Sequence, residues 1–186
     1  MKNGKILLLS CCAPCSAAVI DKLARDNADF TVLFCNPNIY PTEEYLKRRD
    51  EQKRLCAFYR AHFVELPYNE DAAREWGKAV EGLEREPERG KRCAVCFLFR
   101  LRRAAAYAKE NGYSKFTSVL GVSRYKDLEQ VNAAARAAAQ EYQIEYDFTN
   151  WRRGGLEETR RRLIKELKIY EQTYCGCAYS LPQKQG

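Results

Sequence analysis

The chain has 186 residues, with 32 Lys and Arg against 25 Asp and Glu, a formal charge of +7. That length suits one domain able to bury a substantial core, and the modest positive balance is compatible with a polyanionic partner. No apolar run approaches the roughly 20 residues that span a bilayer, and no small-residue cleavage signal follows the N-terminal segment, so a cytoplasmic protein without a membrane partner is expected.

In chain order, Ile6-Leu7-Leu8-Leu9 reads as a buried strand. Ser10-Cys11-Cys12-Ala13-Pro14-Cys15-Ser16 then turns into a helix over Ala17–Ala24, with Pro14 in its first turn. Phe30–Cys35 reads as a second strand and ends in Asn36-Pro37-Asn38-Ile39-Tyr40-Pro41, a turn-rich segment. Thr42 opens a long amphipathic helix expected to carry Tyr45, Leu46, Leu55, Cys56 and Phe58 toward the core. Phe63–Leu66 is a third strand.

Residues 69–92 are charged and poor in aliphatics, and read as a solvated insertion with a short helix. Cys93-Ala94-Val95-Cys96 begins a helix running to about Glu110, with Gly112 as its cap. Phe116–Leu120 is a fourth strand, followed by the polar loop Gly121–Lys126. An Ala-rich helix over 127–142 leads to a fifth, edge strand, Ile144–Phe148. Gly154-Gly155-Leu156 opens a basic helix, and the tail ends in Tyr174-Cys175-Gly176-Cys177. The β-α alternation predicts one α/β domain over 1–186, a doubly wound and mostly parallel sheet. A charged insertion at about 69–92 and a basic helical tail at about 150–186 are added to it.

Nine cysteines in such a chain point to metal binding or redox chemistry rather than a disulfide framework. They cluster as Cys11, Cys12 and Cys15, as Cys93 and Cys96, and as Cys175 and Cys177. Cys35 and Cys56 stand alone and read as small buried hydrophobes. The first group sits on a strand-to-helix turn, where α/β sheets bind ligands and a helix N-terminus favours thiolates. Cys11 and Cys12 with Cys93 and Cys96 make a four-thiolate set suited to a [4Fe-4S] cluster or a structural zinc. The vicinal pair is an odd zinc knuckle, which tilts the set toward iron–sulfur. Cys15 is a further metal ligand candidate. Cys175-Gly176-Cys177 could form a strained disulfide, supply a redox-active pair, or carry two free thiols. The lone histidine, His62, reads as structural, and no phosphate-binding glycine motif is present.

Five motifs in order narrow this. Cys11-Cys12-Ala13-Pro14, Asn36-Pro37-Asn38-Ile39 with Pro41 and Glu44-Tyr45, Glu88-Arg89-Gly90-Lys91-Arg92-Cys93-x-x-Cys96, Ser123-x-Tyr125-Lys126 and Tyr174-Cys175-Gly176-Cys177 span nearly the whole chain. Together they closely resemble the cobalamin-independent epoxyqueuosine reductase family, QueH. The resemblance implies an oxidoreductase of queuosine biosynthesis, reducing epoxyqueuosine to queuosine at the wobble position of a tRNA with a GUN anticodon. It implies a Rossmann-like, adenine-nucleotide α-hydrolase-like fold. It also implies a [4Fe-4S] cluster on Cys11, Cys12, Cys93 and Cys96, and an additional mononuclear metal, iron, sharing those cysteines. Cys15 stands where some members carry an aspartate, and a thiolate there favours iron or zinc over harder ions.

The implied reaction needs an electron donor. Tyr125 and Lys126 are the proton-donor candidates, and Cys175 and Cys177 are candidates to relay electrons or cover the site. Arg48, Arg49, Arg102, Arg103, Arg152, Arg153 and Arg160 to Arg162 are candidate tRNA contacts, with Tyr40 and Tyr125 to stack on bases. The competing readings are an iron–sulfur tRNA sulfurtransferase, whose pyrophosphate loop would need glycines absent from Ser10–Cys15, and a zinc-stabilised RNA-binding module without catalysis.

Overall fold

The computed structural model describes residues 4–180. β1 (Ile6–Ser10) is buried along its whole length, as a strand covered on both faces must be, and its continuous apolar run follows from that. α1 (Ala13–Arg25) follows after two residues, with Pro14 in its first turn and Lys22 and Arg25 at its carboxyl end. β2 (Phe30–Phe34), α2 (Thr42–Phe58) and β3 (His62–Glu65) come next. α3 (Glu70–Ala79) is capped by the Asn69 side chain, which accepts from the Ala72 N–H. α4 (Lys91–Glu110), β4 (Lys115–Ser118), α5 (Leu128–Tyr142), β5 (Glu145–Tyr146) and α6 (Leu156–Glu166) complete the framework.

The strands form one five-stranded sheet in the order β3-β2-β1-β4-β5, and every pairing is parallel. Leu8 at the centre sits opposite Val32 on one side and Thr117 on the other. α1 packs against α2 and α6, while α4 packs along α5 with α3 beside it. The two helical layers cover opposite faces, the doubly wound arrangement that the β-α alternation predicts. The strand order reverses at β1, because the chain leaves β1 toward β2 and β3, then returns to β4 on the other side. The crevice beyond the carboxyl ends of β1 and β4 is therefore the topological switch point.

Three expectations need correction. α2 is not amphipathic in the ordinary sense: Leu46 and Phe58 are 37% and 62% exposed. The helix buries Glu44, Arg48 and Gln52 beside Tyr45, Leu55 and Cys56, because those polar side chains reach across to other segments. Residues 69–92 are not simply solvated: Trp76 and Val80 pack against Cys96 and Cys177. β5 is two residues rather than five. The Asp147 carboxylate accepts from both the N–H and the hydroxyl of Thr149, and this turn ends the strand. His62 lies exposed at the start of β3. Gly112 follows α4 in the left-handed region, φ +69°, as a helix-ending glycine does. Among the described residues, no helix is long and apolar enough to cross a membrane.

Candidate active site

The floor of the switch-point crevice is the turn from β1 into α1. Cys12 takes the extended conformation that precedes a first helical residue. The sulfurs of Cys11, Cys12 and Cys15 lie within 4.8 Å of one another, with 3.7 Å between Cys11 and Cys12. All three side chains are buried. One buried amide holds the turn in shape. Gln52 Oε1 accepts from the Ser10 hydroxyl at 2.7 Å and the Ser16 hydroxyl at 2.9 Å, and its Nε2 donates to Cys56 Sγ at 3.5 Å. Asn36 Nδ2 donates to the Ser10 carbonyl at 3.1 Å.

α4 supplies the second wall. Its first turns bring Cys93 and Cys96 to a cavity of about 860 Å³ that is also lined by Cys11, Cys12, Cys15, Cys175 and Cys177. Seven of the nine cysteines thus face one space. The other two, Cys35 and Cys56, are buried in the core, as expected. Arg100 lies one turn beyond Cys96 on the same helix face and is fully buried. Its Nε donates to the Cys35 carbonyl at 3.1 Å and its Nη2 to Asn36 Oδ1.

The roof is the segment 170–180. Arg48 fastens it, donating from Nη1 to the Cys175 carbonyl at 2.9 Å and from Nη2 to the Tyr174 carbonyl at 3.1 Å. Its own charge is matched by Glu44 at 2.6 Å. Tyr40 N–H donates to the Gly176 carbonyl, and Ile39 bridges Cys177. From this roof, Gln172 Nε2 donates to Cys12 Sγ at 2.9 Å.

Charge is unevenly distributed among the thiols. Hydrogen bonds from Cys12 and Cys15 hold the Cys11 thiol well below its ordinary range, helped by the Lys126 and Arg100 charges and opposed by burial. The bond to Cys11, and then burial, pushes Cys12 up to about 12. The bonds to Cys11 and Cys12 push Cys15 up as well. Burial raises Cys93 and Cys96. Lys126 Nζ stands 3.6 Å from Cys11 Sγ. Burial works against its charge, but the Cys11, Cys175 and Cys15 sulfurs outweigh it and hold the ammonium above its usual range.

The structure thus brings Cys11, Cys12 and Cys15 into direct contact, and sets Cys93, Cys96 and Lys126 around the same cavity. Tyr125 is at the rim and 81% exposed. Cys175 and Cys177 are both free, as are the other cysteines, so the disulfide alternative is not realised. Cys177 is buried against Trp76 while Cys175 is exposed. Two of the arginines expected to meet tRNA have other work. Arg48 is buried under the roof, and Arg152 donates to the carbonyls of Gly121, Ser123 and Lys126, shaping the loop after β4. Arg102 and Arg103 pair with Glu141 and Glu75, and Arg160 and Arg161 with Glu157. Gln52, Gln172, Trp76 and Arg124 belong to the site without having been anticipated. Only Arg100 carried a local signal, its four-residue spacing from Cys96 on one helix.

A doubly wound sheet with a thiol-lined, cation-edged cavity at its switch point defines a Rossmann-like α/β protein with a donor set of the kind soft metals take. Comparison with known proteins narrows the class. The model of the family "Epoxyqueuosine reductase QueH" matches residues 6–183. An epoxyqueuosine reductase QueH of Histophilus somni is 43% identical over 181 residues, covering 96% of this chain and 73% of that protein. One of Thermotoga maritima is 35% identical over 182 residues, covering 98% and 93%. The chain belongs to the epoxyqueuosine reductase QueH family. Among solved structures, the U34-tRNA thiolase NcsA from Methanococcus maripaludis, with its [4Fe-4S] cluster, shares the fold. Its TM-score is 0.57 at 13% identity, over 98% of this chain and 63% of that one.

Proposed function

We propose that this chain reduces epoxyqueuosine to queuosine at the wobble position of tRNA, the activity that names its family. The observation carrying this reading is the convergence of thiols from three separate stretches of sequence around one cavity at the switch point. Replacing an epoxide by an alkene consumes two electrons and two protons and releases water. Among side chains only thiols could act as electron donors here, so a redox group belongs in this cavity.

The donor set fits such a group. Cys11, Cys12, Cys93 and Cys96 would hold a [4Fe-4S] cluster. Cys11, Cys12 and Cys15 would hold an additional mononuclear metal, with iron suited to soft donors. The 3.7 Å between the Cys11 and Cys12 sulfurs matches neighbouring thiolates on one tetrahedral ion with bonds of about 2.3 Å. Once bound, these groups supply single electrons from an external donor and a Lewis acid for the epoxide oxygen.

The chain's own residues do the rest. Lys126, kept charged beside Cys11, would give the departing oxygen one of its two protons, and solvent reaching the cavity would supply the other. Gln172 and the rest of the roof hold Cys12 in place and limit water. Cys175 faces both solvent and cavity, and with Cys177 would pass electrons inward. Tyr125 and the exposed Arg124 at the rim would stack on a base of the GUN anticodon loop and meet its phosphates.

The deciding experiment is anaerobic incubation of iron- and sulfide-reconstituted protein with epoxyqueuosine-containing tRNA and a reductant, followed by nucleoside mass analysis. Queuosine is the expected product. A fully loaded protein that leaves the nucleoside unchanged overturns the reading.

A further inference from the structure

Arg100 and Trp76 both lie beside Cys96, and neither has an anionic partner among the described residues. Arg100 is 2% exposed. Among the described residues its only hydrogen-bond acceptors are the Cys35 carbonyl and the Asn36 amide oxygen, and it joins no salt bridge. Of the two other arginines that are 2% exposed, Arg48 has Glu44 at 2.6 Å, and Arg92 donates to the carbonyls of Leu83, Glu84 and Glu86, three acceptors against the two of Arg100. A buried guanidinium with only neutral acceptors is costly, and an anion nearby relieves it. Arg100 lines the thiol cavity, so the anion it can meet is one held there. Through Asn36, whose Nδ2 donates to the Ser10 carbonyl, Arg100 is also tied to the strand end that carries Cys11.

Trp76 is 6% exposed and packs with Cys96, Val80 and Cys177. Its buried indole N–H has no acceptor in good hydrogen-bond geometry, but it lies near enough to the Cys96 thiol to favour the thiolate, and Trp76 lines the same cavity. An orphaned buried N–H beside a sulfur is a hydrogen bond waiting for negative charge on that sulfur.

We infer that Arg100 and Trp76 are positioning residues that set the reduction potential of the iron–sulfur group at its Cys96 corner. The inference rests on the cluster reading above. Adding an electron makes the group more negative, and both a nearby cation and an N–H donor to a ligand sulfur favour that state. Both residues therefore raise the midpoint potential.

The test is a dye-equilibrated spectral redox titration of the reconstituted protein, with iron and sulfide content measured on each sample. At the wild-type midpoint, Arg100→Gln is expected to lower the reduced-to-oxidised ratio about tenfold, roughly 59 mV for one electron. Trp76→Phe, which keeps the ring and drops the N–H, should lower it about threefold. Arg100→Lys, which keeps the charge, should stay within about twofold of wild type. A purely structural role would change iron content or melting temperature without moving the midpoint. Fully loaded Arg100→Gln and Trp76→Phe proteins with the wild-type midpoint overturn the inference alone. If Arg100→Gln does not fold, Trp76→Phe decides by itself. A wild-type protein that takes up no iron and sulfide overturns the cluster reading, and this inference with it.

Discussion

The floor and the roof of the cavity are built on opposite principles. The floor, Ser10 to Ser16, is wholly buried, grows out of the central strand and is clamped by Gln52 and Asn36. The roof, residues 170–180, has no strand or long helix of its own. It hangs on Arg48, on the Tyr40–Gly176 hydrogen bond, on the Ile39–Cys177 bridge and on a few side-chain contacts. The thiols proposed to hold a metal sit where the fold is least able to move. The segment proposed to admit a nucleotide is held by a handful of polar contacts that can open.

The comparison breaks most completely at the floor. Cys11→Ser or Cys12→Ser should remove bound iron and cut turnover about a hundredfold or more, checked by iron analysis and product mass. Next comes the fastening of the roof. Arg48→Met leaves Glu44 buried without its cation, and should cost about 3 kcal/mol in denaturant unfolding. Limited proteolysis should then cut near Tyr174 while the floor stays protected. Unchanged protection would mean that the roof does not depend on Arg48.

Gln52→Leu tests the clamp of the floor. It deprives the Ser10 and Ser16 hydroxyls of their shared acceptor and should cost about 1–3 kcal/mol, read from the shift in unfolding midpoint. Beneath the floor, burial pushes the Cys35 and Cys56 thiols up to about 11 from 9.0. The folded protein holds these protons after the unfolded chain has lost them. Their contribution is complete below pH 9 and is lost as pH rises toward 11. The stability of Cys35→Ala/Cys56→Ala should fall less steeply over that interval than the wild type's. The smallest effect is expected at the rim. Arg124→Gln should weaken tRNA binding and reduce the salt slope by about one, measured by binding titrations from low to moderate salt.

The floor was legible in the sequence because everything it needs is local. An apolar run, three cysteines and a proline in ten residues specify a strand, a turn and a helix start. The sheet was legible for the same reason, and its polar edge strand fell short only because Asp147 turns the chain early. The roof was legible only in part: Cys175 and Cys177 were candidates to cover the site, but nothing in the sequence showed what fastens them there. The Arg48–Tyr174 contact joins residues 126 apart, and no periodicity announces a pairing at that range. α2 misled in an instructive way. Glu44, Arg48 and Gln52 recur at four-residue spacing and look like a solvated stripe. In the fold that stripe is buried because it meets the roof on one side and the floor on the other.

The Gln172–Cys12 hydrogen bond closes the site with a residue 160 positions after the thiol it touches. A ribosome adding about 5–20 residues per second makes Cys12 long before it makes Gln172. The thiol is thus made early and covered last, and it stays open to solvent until nearly the whole polypeptide has been assembled.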